Sequence, residues 1–212
     1  MRTWAIVVAA GDGARFGGAK QFVRLGGVSV VERAVGVARD ACDGVVAVLP
    51  PDAEWTAPAG VQLAVGGATR SDSVRAGLAA VPDDVDIVIV HDAARPLASR
   101  HLFELVIAAV AAGADGAVPA LAVSDTVKRV RGDRVVETVA RDGLVAVQTP
   151  QGFRADALRA AHQVGAVDTD DAALVEANGG TVVVVEGERR NLKLTLADDL
   201  ELAQALLDGA RT

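Results

Sequence analysis

Runs of small apolar residues, rich in valine and bounded by polar turns, alternate along this chain with stretches of helical periodicity, and that alternation leaves few folds open. Strands are expected at about 4–9, 44–49, 62–65, 86–90, 115–119 and 181–185, and helices near 28–40, 71–80, 99–112, 154–163, 170–178 and 197–208. Such repeats build βαβ units around a parallel sheet. Asp86-Ile87-Val88-Ile89-Val90 is continuously apolar after its first residue, as a central parallel strand covered on both faces should be. The expected fold class is α/β, a doubly wound, mostly parallel sheet. With 212 residues, 51% of them hydrophobic, the chain fits one domain spanning 1–212. One stretch, at about 121–139, breaks the rhythm. It reads as a hairpin, Asp125 to Val130 and Val135 to Val139 around Arg131-Gly132-Asp133-Arg134, with a polar face and little to pack on. A lone two-stranded ribbon is marginal in water, so it is expected either to project as an arm onto a second copy, making a homodimer, or to fold back on the sheet edge.

Composition removes several classes of partner. A net charge of −7 argues against nucleic acid, whose phosphate backbone needs a basic surface, so any affinity for phosphate must be local. Cys42 is the sole cysteine, which excludes a disulfide framework and a cysteine zinc cluster and suits an intracellular protein. The N-terminus runs directly into Trp4-Ala5-Ile6-Val7-Val8, and no apolar run reaches membrane-spanning length. A cytoplasmic location without membrane contact is expected.

The chemistry-bearing residues fall just after the expected strands, where open α/β sheets bind ligands. The loop Ala9-Ala10-Gly11-Asp12-Gly13-Ala14-Arg15-Phe16-Gly17-Gly18-Ala19-Lys20-Gln21 comes first. Its glycines allow tight turning and close approach of backbone N–H groups to an anion, a helix start behind it should add a dipole, and Arg15 and Lys20 supply charge. A dinucleotide fingerprint would need glycine where Phe16 stands, and a Walker A loop would need lysine where Ala19 stands. A polyphosphate cradle is one reading and a plain strand-to-helix turn the other. The second cluster is Gly66-Gly67-Ala68-Thr69-Arg70-Ser71-Asp72-Ser73, where Thr69 and Asp72 have capping-box spacing and would also simply start a helix. In the third, His91-Asp92-Ala93-Ala94-Arg95-Pro96, Asp92 is a candidate ligand for a magnesium ion bridging substrate phosphates, since that ion takes oxygen donors and few carboxylates. The competing reading is a local Asp92–Arg95 ion pair that orders the turn. His91 reads as a structural hydrogen-bonder, because the histidines lack zinc-ligand spacing. Late in the chain come Gln148-Thr149-Pro150-Gln151, Thr169-Asp170-Asp171 and Asn191-Leu192-Lys193. Taken singly, Thr169 and Asp170 are helix caps and Lys193 a surface lysine.

In this order, AAGDGARFGGAKQ, GGATRSDSV, VHDAARP, DTVKR, QTPQGF, TDDAALVE and NLKLT resemble the 2-C-methyl-D-erythritol 4-phosphate cytidylyltransferases, from about residue 4 to 207. The glycine loop is shared with many sugar nucleotidyltransferases; HDAARP, TDDA and the terminal NxK pattern are more specific. The chain departs from the family at Ala19, where proline is usual, in a shorter stretch between loop arginine and lysine, and at Leu196 in an ending that is usually threonine-rich.

The resemblance implies a Rossmann-like nucleotidyltransferase fold and a step of non-mevalonate isoprenoid synthesis. A phosphate monoester attacks the α-phosphorus of CTP, pyrophosphate leaves, and a cytidine diphosphate alcohol forms. No nucleophilic side chain is needed, only the positioning of two polyanions and stabilisation of transition-state charge. By the same resemblance Arg15, Lys20 and Lys193 are the catalytic cations, and Ala9, Ala10, Gly11, Gly13, Gly67, Ser73, Asp92 and Ala93 contact CTP. Magnesium lies near Asp92. Asp92, Arg95, Thr169 and Lys193 of one subunit, with Thr126 and Arg141 from the arm of another, surround the polyol phosphate. The alternatives are another acceptor such as ribitol 5-phosphate, another base with a sugar phosphate, or a non-catalytic nucleotide-binding regulatory module. Intact Arg15, Lys20, Asp92 and Lys193 speak against the last.

Overall fold

The structure is a computed structural model in which residues 1–163 and 170–209 are described. β1 (Thr3–Val8) is followed by the glycine loop, a single 3-10 turn (Lys20–Phe22) and a small hairpin, β2 (Arg24–Leu25) and β3 (Val28–Ser29), before α1 (Val30–Ala41). Next come β4 (Gly44–Leu49), β5 (Val61–Val65), α2 (Arg70–Ala80), β6 (Ile87–Asp92), α3 (Arg100–Ala111) and β7 (Gly116–Ala122). β8 (Val127–Arg131), β9 (Arg134–Val139), β10 (Val145–Val147), β11 (Gln151–Arg154), α4 (Ala155–Gln163), α5 (Asp171–Ala177), β12 (Val182–Glu186) and α6 (Asp198–Asp208) complete the described chain.

The central sheet is mostly parallel, as expected. β5, β4, β1 and β6 run parallel in that order. β11 then pairs antiparallel with both β6 and β7. Ala117 faces Gly152 on one side and Val183 on the other, and Ala120 faces Val147 and Glu186, so β10 and β11 share one edge of β7 while β12 takes the opposite edge in parallel. Residues 145–154 are thus one antiparallel strand, interrupted where Pro150 has no N–H to give to a ladder. No strand was expected at these residues, whose polar Gln148-Thr149-Pro150 centre lacks the apolar run of the other strands. The sequence reading also started the first helix at 28. Val28 and Ser29 instead pair with β2, and Ser29 caps α1: its Oγ accepts from the Glu32 N–H while the Glu32 carboxylate accepts from the Ser29 N–H.

Side-chain alternation divides the core into two faces. Trp4 and Ile6 of β1, Val46 and Val48 of β4, and Val88 and Val90 of β6 pack with α2, α4 and α5. Ala5, Val7, Val45, Ala47, Ile87 and Ile89 point the other way, onto α1 and α3. Both sides of each strand are dry, which is why these segments read as unbroken apolar runs. α6 and the β2/β3 hairpin close a third, smaller cluster around Leu25, Val30 and Leu194. β8 and β9 form a separate two-stranded sheet on which Val130, Val135 and Val136 are at least half exposed. Among the described residues no helix is long and apolar enough to cross a membrane.

Two helical glycines should respond oppositely to alanine. A Cβ on Gly77 of α2 would lie 2.5 Å from Ile6 Cγ2 in the packed core, whereas one on Gly36 of α1 meets nothing within 4 Å. Gly77→Ala is expected to destabilise by about 1–2 kcal/mol through overpacking. Gly36→Ala is expected to stabilise by about 0.5–1 kcal/mol through reduced unfolded-state entropy. Urea unfolding midpoints read both.

Candidate active site

The carboxyl ends of β1 and β6, the loop after β5 and the segment before α6 converge on a cleft of about 530 Å³. Its wall is the glycine loop. Gly13 carries φ +67°, and its carbonyl accepts from the N–H groups of Phe16 (2.8 Å), Gly17 (3.0 Å) and Gly18 (3.3 Å), folding the loop on itself. A Cβ at Gly13 would fall 1.9 Å from the Gly18 oxygen, so both the conformation and the space require glycine. The next regular element is the short 3-10 turn, and α1 begins only at Val30. The expected helix dipole behind the loop is therefore absent, and attraction for an anion falls to side chains. Arg15, Lys20, Arg70 and Lys193 all line the cleft. Lys20 Nζ rests on the Leu194 carbonyl at 2.8 Å. Burial, and then the charges of Lys193 and Arg15, hold its pKa below the ordinary lysine value.

The floor is Asp92, the last residue of β6. Strand alternation sends it to the face covered by α2 and α5, and sends His91 to the face covered by α3. Asp92 Oδ2 accepts from Lys193 Nζ at 2.7 Å, and Oδ1 lies 3.4 Å from Arg70 Nε. Burial alone would raise the carboxyl pKa, but Arg70 and Lys193 outweigh it and hold Asp92 well below the usual carboxylate range. The Asp92–Arg95 ion pair considered from sequence does not form. Arg95 is turned away, donating to the carbonyls of Asn191 (2.8 Å) and Val147 (3.4 Å). It straps down the segment that carries Lys193, as does the bond from the Leu194 N–H to the Ala94 carbonyl. Asn191 is wholly buried and donates to Gln148 Oε1 and the Thr149 carbonyl.

The loop after β5 starts a helix and also lines the cleft. Thr69 caps α2 in a capping box with Asp72. Ser73 Oγ accepts from the Gly67 N–H (3.3 Å) and donates to the Thr69 carbonyl (3.1 Å), tying the cleft-lining loop to the helix. Asp170 stands at the N-cap position of α5 without a side-chain capping bond, and its Oδ1 accepts from Gln151 Nε2 (2.7 Å).

Most of the residues singled out from sequence meet here: Ala9, Ala10, Gly11, Gly13, Arg15, Lys20, Gly67, Ser73, Asp92, Ala93 and Lys193 line the one cleft. Arg95 lies behind it. Thr126 and Arg141 are exposed near the root of the β8/β9 hairpin, where Arg141 donates to the Ser124 carbonyl, and they do not line the cleft. Thr169 lies outside the described residues. Two residues escaped sequence reading. Arg70 stood in a stretch that reads as a helix start, and Asp171 stood beside the Thr169 and Asp170 caps without a role of its own. Only the meeting of α2 with α5 reveals that Arg70 bridges Asp92 and the buried Asp171. For an oxygen-loving divalent ion the cleft offers the ionised Asp92 carboxylate. No cluster of three or more metal-binding side chains exists among the described residues, so the donor set suits an ion that brings phosphate oxygens with it.

His91 is fully buried and holds the Asp92 turn. The Asp92 N–H donates to Thr149 Oγ1 (3.0 Å), Thr149 Oγ1 lies 3.1 Å from His91 Nδ1, and His91 Nε2 lies 3.2 Å from the Arg95 carbonyl. One assignment satisfies every group: the hydroxyl donates to Nδ1, and neutral His91 donates from Nε2. Burial pushes the His91 pKa down to about 4. Because the folded state favours neutral imidazole, the unfolded chain binds more protons between the two pKa values. This contribution is complete above about pH 6.5 and is lost as pH falls through 4. The stability difference between wild type and His91→Asn should shrink by about 3 kcal/mol from pH 7 to pH 4, read by urea unfolding at each pH.

Comparison with known proteins identifies the family. The family model described as IspD, 2-C-methyl-D-erythritol 4-phosphate cytidylyltransferase, matches residues 3–209. The chain is 47% identical over 216 residues to 2-C-methyl-D-erythritol 4-phosphate cytidylyltransferase of Frankia casuarinae, covering 97% of this chain and 81% of that protein. It is 46% identical over 221 residues to a bifunctional IspD/IspF enzyme of Rhodospirillum rubrum, covering 97% of this chain but only 57% of that relative. The chain thus spans little more than half of the bifunctional relatives it matches. The crystal structure of 2-C-methyl-D-erythritol 4-phosphate cytidylyltransferase from Thermus thermophilus superposes with a TM-score of 0.85 at 38% identity, covering 98% of both chains. Motif order, cleft chemistry and these similarities agree that the chain belongs to the 2-C-methyl-D-erythritol 4-phosphate cytidylyltransferase family.

Proposed function

We propose that the chain transfers the cytidylyl group of CTP to 2-C-methyl-D-erythritol 4-phosphate within this cleft, and that its side chains divide the work as follows. A phosphate oxygen of the acceptor forms a bond to the α-phosphorus of CTP while the bond from that phosphorus to the β-phosphate bridging oxygen breaks. Pyrophosphate departs with the electron pair. The observation that carries this reading is the crowding of Arg15, Lys20 and Lys193 around one cleft in a chain of net charge −7. Cations that depress the pKa of Lys20 are stabilised together by a polyanion. Arg15 and Lys20 hold the triphosphate and meet the charge that builds on the α-phosphate in the transition state, and Lys193 orients the attacking phosphate.

Members of this family generally use a divalent cation. Magnesium at Asp92, shared with triphosphate oxygens, would neutralise charge on the nucleotide. The base is held by backbone of Ala9, Ala10 and Gly67 and by Ser73. A Cβ on Gly66 would lie only 2.2 Å from Ala10 Cβ, and so close an approach of the two loops supports a slot sized for a pyrimidine.

The chain acts as a single catalytic domain whose β8/β9 hairpin is the dimer arm. Val130, Val135, Val136, Leu144 and Val145 are exposed along the hairpin and its return, an apolar surface that a second copy would cover. Thr126 and Arg141 near the arm root then reach the acceptor in the partner's cleft, alongside Asp92 and Lys193 of that subunit, while Arg95 holds the Lys193 segment from behind.

The test is magnesium-dependent pyrophosphate release from CTP with 2-C-methyl-D-erythritol 4-phosphate, ribitol 5-phosphate or no acceptor. Preference for the first is expected, and Lys20→Gln should lower kcat by about 10²–10³-fold. Preference for ribitol 5-phosphate would change the acceptor, and CTP binding without turnover would favour a regulatory module. Mixed dimers of Arg141→Ala and Lys20→Ala subunits should regain activity through one intact site; no rescue after verified exchange would refute the shared site.

A further inference from the structure

We propose that Arg70 is a positioning residue for the transfer step, acting through Asp92; this rests on the functional reading above. Arg70 is the first residue of α2, its backbone fixed by the Thr69–Asp72 capping box. A cation at a helix N-terminus opposes the helix dipole, so its presence there calls for partners that offset the cost. Two carboxylates provide them. Nη1 donates to Asp171 Oδ2 at 2.6 Å and Nε faces Asp92 Oδ1 at 3.4 Å. Asp171 is completely buried, and its other oxygen is met by His162 Nε2 at 3.0 Å, so the anchor cannot turn. Arg70, only 22% exposed at its side chain, is held from behind. The guanidinium fixes the first oxygen of Asp92 and thereby aims the second at Lys193, 2.7 Å away. The fork matters as much as the charge. A lysine ammonium is a point charge on a flexible stem and cannot reproduce this two-carboxylate geometry. Burial works against the Arg70 charge, but Asp171 and Asp92 more than compensate, so it stays protonated.

The test uses the full chain with Arg70→Gln, Arg70→Lys, Asp171→Asn, Asp92→Asn and the Arg70→Gln combinations with each aspartate variant. It reads kcat, thermal midpoint, and CTP affinity by calorimetry with and without magnesium. Displacing a reacting group by about 1 Å can cost about 100-fold. Arg70→Gln is therefore expected to lower kcat by about 10–100-fold, Arg70→Lys by about 10-fold and Asp171→Asn by about 3–10-fold. Magnesium-free CTP affinity should stay within about threefold, since the Arg70 charge, although it lines the cleft, is already paired with Asp171 and Asp92. Arg70→Gln, alone or combined with either aspartate variant, should also leave the same residual magnesium enhancement of CTP binding as Asp92→Asn. A lower melting temperature with kcat intact would make Arg70 a structural strut and overturn the proposal. So would a more than tenfold loss of magnesium-free affinity with Asp171→Asn silent, or full recovery of kcat by lysine. If the wild type binds CTP but turns over no polyol phosphate, the functional reading falls by itself, and calorimetry decides the inference. It is then refuted if Arg70→Gln or Asp92→Asn leaves the magnesium enhancement intact.

Discussion

A carboxylate at the buried end of a central strand is tolerable only when cations and hydrogen bonds surround it, and Asp92 imposes that demand on the whole cleft. Its partners come from far along the chain. Arg70 arrives on α2, Lys193 on the segment before α6, and Thr149 on the interrupted strand between β6 and β7. Arg70 and Lys193 meet the carboxylate and Thr149 the backbone N–H, so meeting the needs of one residue fixes the relative placement of a helix, a C-terminal loop and a strand. The cleft that results carries more positive charge than Asp92 can balance, and that imbalance is what makes it a site for polyanions rather than a closed salt-bridge network.

The signature His91-Asp92-Ala93-Ala94-Arg95 divides its labour by strand alternation. Asp92 faces the cleft. Neutral His91 and Arg95 lie behind it and act on backbone, one closing the turn and the other strapping down the Asn191 segment. A motif recognised as a unit is thus half chemistry and half scaffold, and the two halves respond differently to substitution. Loss of Asp92 removes a charge from the site, whereas loss of His91 or Arg95 releases the structure that aims it.

Much of this was legible in the chain. The valine runs located β1, β4 and β6 because both faces of each are dry, and they located β5 and β12 too, although Leu63, Val65 and Val184 leave those two partly exposed rather than buried; glycines spaced with two cations marked the loop. β6 runs past the expected end at Val90 because His91 and Asp92 continue to pair with Val7 and Val8 of β1; polarity there marks a strand end that carries function, not a strand that has stopped. What stayed hidden depended on tertiary contact. Arg70 sits in a sequence indistinguishable from helix capping, and Asp171 acquires its meaning only where α5 meets α2 and His162. The dipole expected behind the glycine loop failed for a local reason: the chain makes a 3-10 turn and a two-residue-stranded hairpin before any helix begins.

The interrupted strand also governs where this chain can change length. The β8/β9 hairpin is a two-stranded sheet of its own, so insertions near Gly132 leave the register of the central sheet untouched. Between Val145 and Arg154 no such slack exists. Both ends of that stretch are in register with β7, and its middle supplies the Thr149 hydroxyl that meets the Asp92 N–H. A single inserted residue there would either flip side chains to the opposite face or pull Thr149 from its partner. Variation in chain length among proteins built this way should therefore gather at the hairpin tip and avoid the strand a few residues downstream.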